Sequence, residues 1–143
     1  MNVAAILKAK GHEVATASPD ATLLDISRKL AAKRIGAIVV IGRGGELAGI
    51  ISERDIIKAI SQRGAEALGI LVSEVMTREV ITCTETSTLD ELMGTMTTGR
   101  FRHLPVMDHA RLVGIISIGD VVKHHIAEVE MEVSAMRGYL AAG

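Results

Sequence analysis

The chain has 143 residues, of which 48% are hydrophobic and 23% charged. That balance excludes a disordered chain, and the length is one ordinary domain or two very small ones, able to hide roughly 68% of the unfolded surface without disulfides or metals. Sixteen Lys and Arg against 17 Asp and Glu leave a net charge of -1, so no general attraction to nucleic acid or to an anionic membrane is expected, and with one Phe, one Tyr and no Trp there is no stacking platform for single strands.

The single cysteine, Cys83, cannot form an internal disulfide, and seven Met beside a lone thiol suit a reducing compartment. Lys8 and Lys10 come too early for a secretory signal. Apolar runs such as 36–42 are far short of the roughly 18 residues that span a bilayer. The expected location is the cytoplasm.

In chain order, Val3–Lys8 reads as a short amphipathic lead helix, followed by a short strand over Val14–Thr16. Ser18-Pro19-Asp20 are N-cap residue types opening a helix over Thr22–Lys33, with Leu23, Ile26 and Leu30 on one face. The next strand, Ala37–Ile41, carries the unbroken β-branched run Ile38-Val39-Val40-Ile41, the pattern of a strand covered on both faces. A Gly-rich turn leads to a strand over Leu47–Ile51 and a helix over Arg54–Ile60; Gln62–Ser73, with Gly64 and Gly69, reads as a linker. The order then returns. A strand over Val80–Thr82 precedes the cap types Thr84-Glu85-Thr86-Ser87 and a helix over Thr88–Thr98, weakened by Gly94 and Gly99. Strands follow over Leu104–Met107 and Leu112–Ile116, and a helix over Asp120–Ile126. Pro105 suggests an edge or a bend. The tail, Ala127–Leu140, is expected to extend the last helix, as a packing helix or a subunit contact.

The return is a repeat in residue register. A shift of 66 positions lays Glu13-Val14-Ala15-Thr16 on Glu79-Val80-Ile81-Thr82, Thr22-Leu23 on Thr88-Leu89, and Arg34 on Arg100. The shift then becomes 65, laying Gly49-Ile50-Ile51-Ser52 on Gly114-Ile115-Ile116-Ser117 and Asp55 on Asp120. The lost residue falls in the turn between two apolar stretches, which identifies those stretches as strands: a one-residue change within a strand turns every side chain to the other face. The expected fold is α+β, built from β-α-β-β-α twice. Its expected domains are 1–66, the first repeat with the lead helix, and 67–143, the second repeat with the tail. Neither short hairpin hides its apolar face alone, so the repeats are expected to pack together.

Each copy carries Ser-x-x-Asp where a strand becomes a helix. The pattern is a capping box, with Ser at the N-cap and the acid at N3, and can exist to start the helix alone. The same geometry suits a ligand. A helix N-terminus offers N–H groups and a positive dipole end to a phosphate, and a carboxylate one turn in can accept from two vicinal ribose hydroxyls.

The paired Gly-Ile-Ile-Ser-x-x-Asp signatures at Gly49–Asp55 and Gly114–Asp120, with Glu74-Val75-Met76-Thr77 leading into the second copy, Thr88-Leu89, and Arg102-His103-Leu104-Pro105-Val106, resemble a tandem pair of cystathionine beta-synthase (CBS) domains across residues 3 to 126. The resemblance implies two repeats packed about a pseudo-twofold axis, with clefts holding AMP, ADP, ATP, S-adenosylmethionine or NAD(H). It implies that Asp55 and Asp120 bind ribose hydroxyls, with Ser52 and Ser117 beside ribose and phosphate. Gly36 and Ala37 are expected to flank the adenine in the cleft of Asp120, and Arg102 and His103 in the cleft of Asp55. Thr16 and Thr77 complete the expected ligand-binding set. Arg54 before Asp55, together with Arg102 and His103, makes the Asp55 cleft the expected phosphate site. The implied function is a stand-alone, non-catalytic sensor that forms a homodimer and signals to a protein target. It needs no cofactor beyond an adenine nucleotide or dinucleotide as regulatory ligand, and neither nucleic acid nor a membrane is among its expected partners.

Other constellations are weaker. His124-His125 are adjacent on a helix and point about 100° apart, a poor metal site. His12 and His109 read as surface residues and Cys83 as a small half-buried one. Gly42-Arg43-Gly44-Gly45 lacks the following helix and the Gly-Lys-Ser/Thr end of a phosphate loop. No catalytic group and no metal site is expected. Two other classes stay open: an enzyme acting on a nucleotide, which turnover of the bound ligand would reveal, and a structural adaptor with empty clefts in which both Ser-x-x-Asp motifs are caps.

Overall fold

The computed structural model describes residues 1–142. Its elements run α1 (Val3–Lys10), β1 (Thr16–Ala17), α2 (Leu23–Lys33), β2 (Ala37–Ile41), β3 (Leu47–Ser52), α3 (Glu53–Arg63), short 3₁₀ helices at Gly64–Gly69 and Val72–Glu74, α4 (Leu89–Gly99), β4 (His103–Asp108), β5 (Arg111–Ser117) and α5 (Ile118–Ala142). This is the mixed α+β order read from the sequence. The chain divides into two compact units. One comprises Glu13–Ile81 with His109–Val113; the other comprises Met1–His12, Thr82–Asp108 and Gly114–Gly143.

In the first-repeat unit, β2 is the middle strand of three. It runs parallel to β1, with Thr16 opposite Val39, and antiparallel to β3, with Ala37 opposite Ser52 and Val40 opposite Gly49. Ala37 to Val40 are all buried, as the β-branched run requires. Leu23, Ile26 and Leu30 of α2 and Ile56 and Ala59 of α3 close one core over Ile38, Val40 and Ile51. The capping residue of α2 is Thr22, in a reciprocal box with Asp25, rather than one of the Ser18–Asp20 group. The helix ends at Arg34 in a left-handed conformation, φ 54°. The expected linker is part of the core. Ala67 and Val72 are fully buried, Leu23 N–H donates to the Ile70 carbonyl, and Val72 N–H donates to the Ala21 carbonyl.

In the second-repeat unit, β4 and β5 form a two-stranded sheet. The strand expected over Val80–Thr82 shrinks to one parallel bridge, Cys83 to Val106. In that bridge Cys83 N–H donates to the Pro105 carbonyl and its carbonyl accepts from Met107 N–H, so the N–H that Pro105 lacks is not needed. Thr88 caps α4 in a box with Glu91, and α4 ends at Arg100, φ 56°, the repeat equivalent of Arg34. The lead helix packs here, not with the repeat it precedes. Val3 N–H donates to the Ser87 carbonyl, Ala4 N–H to the Glu85 carbonyl, and Val3, Ile6 and Leu7 are wholly buried. α5 runs through the expected tail for 25 residues, about 37 Å. Val121 faces the unit's core and Glu128 meets the N-terminal ammonium at 3.0 Å; from Val129 to Ala142 every residue is exposed.

Candidate functional site

The two Ser-x-x-Asp signatures are built alike. At the first, where β3 becomes α3, Asp55 Oδ2 accepts from Ser52 N–H at 2.8 Å and Ser52 Oγ at 3.0 Å, while Asp55 N–H donates to Ser52 Oγ at 3.3 Å. At the second, Asp120 Oδ2 accepts from Ser117 N–H at 2.8 Å and Ser117 Oγ at 2.9 Å, and Asp120 N–H donates to Ser117 Oγ at 3.2 Å. Both are therefore capping boxes, and all these carboxylate bonds end on Oδ2. The cap and the ribose readings are compatible, because a cap uses one oxygen and Oδ1 takes none of its bonds.

The strand preceding each hairpin turn supplies the next neighbour. The Gly36 carbonyl accepts from Glu53 N–H, the first residue of α3, and Ala37 pairs with Ser52. The Arg102 carbonyl accepts from Ile118 N–H, the first residue of α5, and His103 opens β4. Within its unit, each strand start thus sits against the signature of its own repeat. Thr77 and Ile50 exchange two backbone bonds, 2.9 and 3.0 Å, and the Thr16 carbonyl accepts from Lys29 Nζ. Arg54 and Arg102 are exposed.

Both signature glycines are sites of close approach, against backbone at Gly49 and against a leucine side chain at Gly114. A Cβ on Gly49 would lie 2.6 Å from Met76 Sδ and 2.7 Å from the Thr77 carbonyl oxygen, and one on Gly114 would lie 2.7 Å from Leu7 Cδ2. The segment ahead of each repeat thus packs on the sheet of the other copy's signature: Met76-Thr77 on Gly49, α1 on Gly114.

The structure adds one residue that the sequence reading did not single out. Lys10 Nζ lies 2.7 Å from Asp120 Oδ2 and 2.9 Å from the Ile115 carbonyl oxygen. Both side chains are largely covered, at 29% and 19% exposure. Burial pushes the Asp120 carboxyl up, but the Lys10 bond and charge and the Ser117 donors together hold it below the usual carboxylate range. The available signal was the repeat register, in which Lys10 falls on Met76.

A groove of about 520 Å³ lies between α2 and α3, lined by Leu30, Arg34, Gly36, Glu53 and Ile57, but neither Ser52 nor Asp55 borders it. Burial raises the Cys83 thiol to about 11, so it is protonated and inert at neutral pH. Among the described residues no group of three or more His, Cys, Asp or Glu is placed to hold a metal ion, and no helix is long and apolar enough to cross a membrane.

A repeated β-α-β-β-α unit with a Ser-x-x-Asp cap at each second helix defines a class of paired small modules. The CBS domain model matches residues 9–62 and 72–126, and the chain belongs to the CBS domain family. The crystal structure of the CBS-domain protein ATU1752 from Agrobacterium tumefaciens is 48% identical, with a TM-score of 0.84 over 85% of this chain and 91% of that one. The CBS domain pair of protein MJ0100, solved in complex with 5′-methylthioadenosine and S-adenosyl-L-methionine, is 27% identical with a TM-score of 0.79 over 90% of this chain and 98% of that one. The CBS domain protein PAE2072 from Pyrobaculum aerophilum, complexed with AMP, is 25% identical with a TM-score of 0.75 over 84% of this chain and 89% of that one.

Proposed function

We propose that the chain is a non-catalytic regulatory module that binds an adenosine-containing ligand at its Ser-x-x-Asp signatures and passes occupancy to a protein target. The observation that carries this is the geometry of Asp55 and Asp120: each carboxylate spends Oδ2 on its cap and keeps Oδ1 for a ribose diol, at a helix N-terminus suited to phosphate. AMP, S-adenosylmethionine and 5′-methylthioadenosine in the related CBS pairs support the same ligand class. Ser52 and Ser117 orient the acids. Arg54, Arg102, His103, Gly36, Ala37, Thr16 and Thr77 complete the proposed ligand-binding set. The energy for signalling is the ligand's differential affinity for two states of the module.

The test is a thermal-shift panel with AMP, ADP, ATP, NAD, NADH and S-adenosylmethionine after stripping copurified nucleotide. A ligand at 100 times its Kd stabilises by about 2.7 kcal/mol. A shift that is lost in Asp55→Ala or Asp120→Ala supports the reading. No shift at millimolar ligand overturns it in favour of the adaptor.

We also propose a homodimer through α5. Its exposed apolar residues Val122, Ile126, Val129, Val133, Met136 and Leu140 recur at spacings of three and four. That is a coiled-coil seam, and a parallel pairing sets Glu132 of one copy opposite Arg137 of the other. From Val129 onward every described residue of α5 is exposed, and a partner helix on this face would cover its apolar side. Sedimentation of the chain as a dimer, with the pair Val129→Glu and Val133→Glu monomeric and Met131→Glu still dimeric, is the expected result; a dimeric double variant excludes this seam.

A further inference from the structure

The two signatures match each other in backbone and capping but not in charge. The residue packed from the preceding segment is Lys10 at Asp120, and in the 66-residue register its counterpart is Met76, packed on Gly49 of the other signature. Lys10 is not a loose surface lysine. It ends α1, whose Val3, Ile6 and Leu7 are fully buried and whose backbone is tied to Glu85 and Ser87, so the side chain starts from a fixed point. Two of its three N–H donors are engaged, by Asp120 Oδ2 and the Ile115 carbonyl, leaving one donor and a positive charge at the rim of the Asp120 carboxylate.

We propose that Lys10 is the charge-selecting residue of the Asp120 signature, favouring adenosine that carries a 5′-phosphate over adenosine whose 5′ group is neutral or cationic. The inference rests on the adenosine reading above. A ribose diol on Asp120 Oδ1 is a neutral contact and does not distinguish a nucleotide from a thioether or a sulfonium. The 5′ substituent hangs on the same ribose ring, so it comes within the range where a partly buried ammonium still acts strongly. A phosphate there receives the spare N–H as a charge-assisted bond; a sulfonium meets repulsion. Met76 supplies no such charge at the matching position, so a lysine contact of this kind belongs to the Asp120 signature, and any phosphate preference at Asp55 comes from Arg54 instead.

The test is calorimetric titration of AMP and of 5′-methylthioadenosine, which differ at the 5′ position alone, in the full chain carrying Asp55→Ala to isolate the Asp120 signature. The expected Kd for AMP is about tenfold tighter than for 5′-methylthioadenosine, the size of one charged hydrogen bond. Lys10→Met, which copies Met76, brings the two within about twofold, and Lys10→Arg restores the preference. An unchanged ratio in a Lys10→Met protein that melts cooperatively overturns the assignment, as does a preference for the thioether in the Lys10 protein. Should Lys10→Met fail to fold, a salt series on the Asp55→Ala chain decides: AMP affinity weakens between 50 and 300 mM salt and thioether affinity does not, and equal salt response overturns the proposal. Binding of neither ligand to the unsubstituted chain defeats the adenosine reading itself, whereas binding of both with no dependence on Lys10 defeats this inference alone.

Discussion

Replacing Gly114 by alanine places a methyl where α1 meets β5. Its Cβ would stand 2.7 Å from Leu7 Cδ2 and 2.9 Å from Cδ1, roughly an ångström inside ordinary carbon contact. Leu7 is wholly buried, so the methyl cannot push it into solvent. Relief needs an off-rotamer leucine or a shifted α1, costing about 1–3 kcal/mol and lowering the melting temperature by about 3–10 °C. Leu7→Ala alone leaves a cavity worth about 2–5 kcal/mol. In the double variant the alanine methyl at 114 enters the space that the leucine vacated. The pair is therefore less harmful than the sum of its parts by at least about 1 kcal/mol. Urea denaturation of the four proteins at pH 7 reads the coupling. Additivity within about 0.5 kcal/mol refutes the docking of Leu7 on Gly114.

Arg34 and Arg100 both end a helix at positive φ, 54° and 56°, so Arg34→Gly and Arg100→Gly each raise stability by about 0.5–1 kcal/mol in chemical denaturation; a loss at both sites contradicts the left-handed cap. The depressed Asp120 carboxyl gives stability that is present above the ordinary Asp value near 3.9 and is lost as pH falls through and below it. Asp120→Asn is therefore less stable at pH 7, and its denaturation midpoint changes less between pH 6 and 3 than that of the unsubstituted protein; parallel acid profiles contradict the shift. With its thiol raised to about 11 and its side chain buried, Cys83 reacts with a disulfide reagent at pH 8 only through unfolding, so its labelling rate rises with urea and matches the unfolding rate under fast labelling. Labelling in native buffer as fast as a free thiol's refutes the burial.

The repeat, the helices and the hairpins were legible because each is a local pattern: a 3.6-residue apolar period for α2 and α4, a β-branched run for β2, and a length change confined to a turn. The signatures were legible because Ser52–Asp55 and Ser117–Asp120 are three residues apart and make the same box twice. What escaped depends on distance in the chain. The docking of α1 with the second repeat rests on Lys10 to Asp120, 110 residues apart, and on Leu7 against Gly114. Nothing near Lys10 distinguishes it from Lys8. The strand expected at Val80–Thr82 was drawn from its likeness to Val14–Thr16, but one copy keeps two strand residues and the other a single bridge at Cys83. Thr22 and Thr88 win the caps from the polar groups before them because each has an acid three residues on to close a box. Ala67 and Val72 were hidden among Gly and charged neighbours, where composition suggests a linker.

The unit that holds α1 is assembled from both ends of the chain, and this sets an order of events on the ribosome. Leu7 is made more than 100 residues before Gly114, on which it packs. At about 5–20 residues per second Leu7 waits about 5–20 s for its contact at Gly114. Meanwhile the run Glu13–Ile81, which supplies every member of the first core, is complete and can close behind it. α1 thus precedes the first core in the chain yet meets β5 only after that core can close, and the interval is written into the order of the repeats.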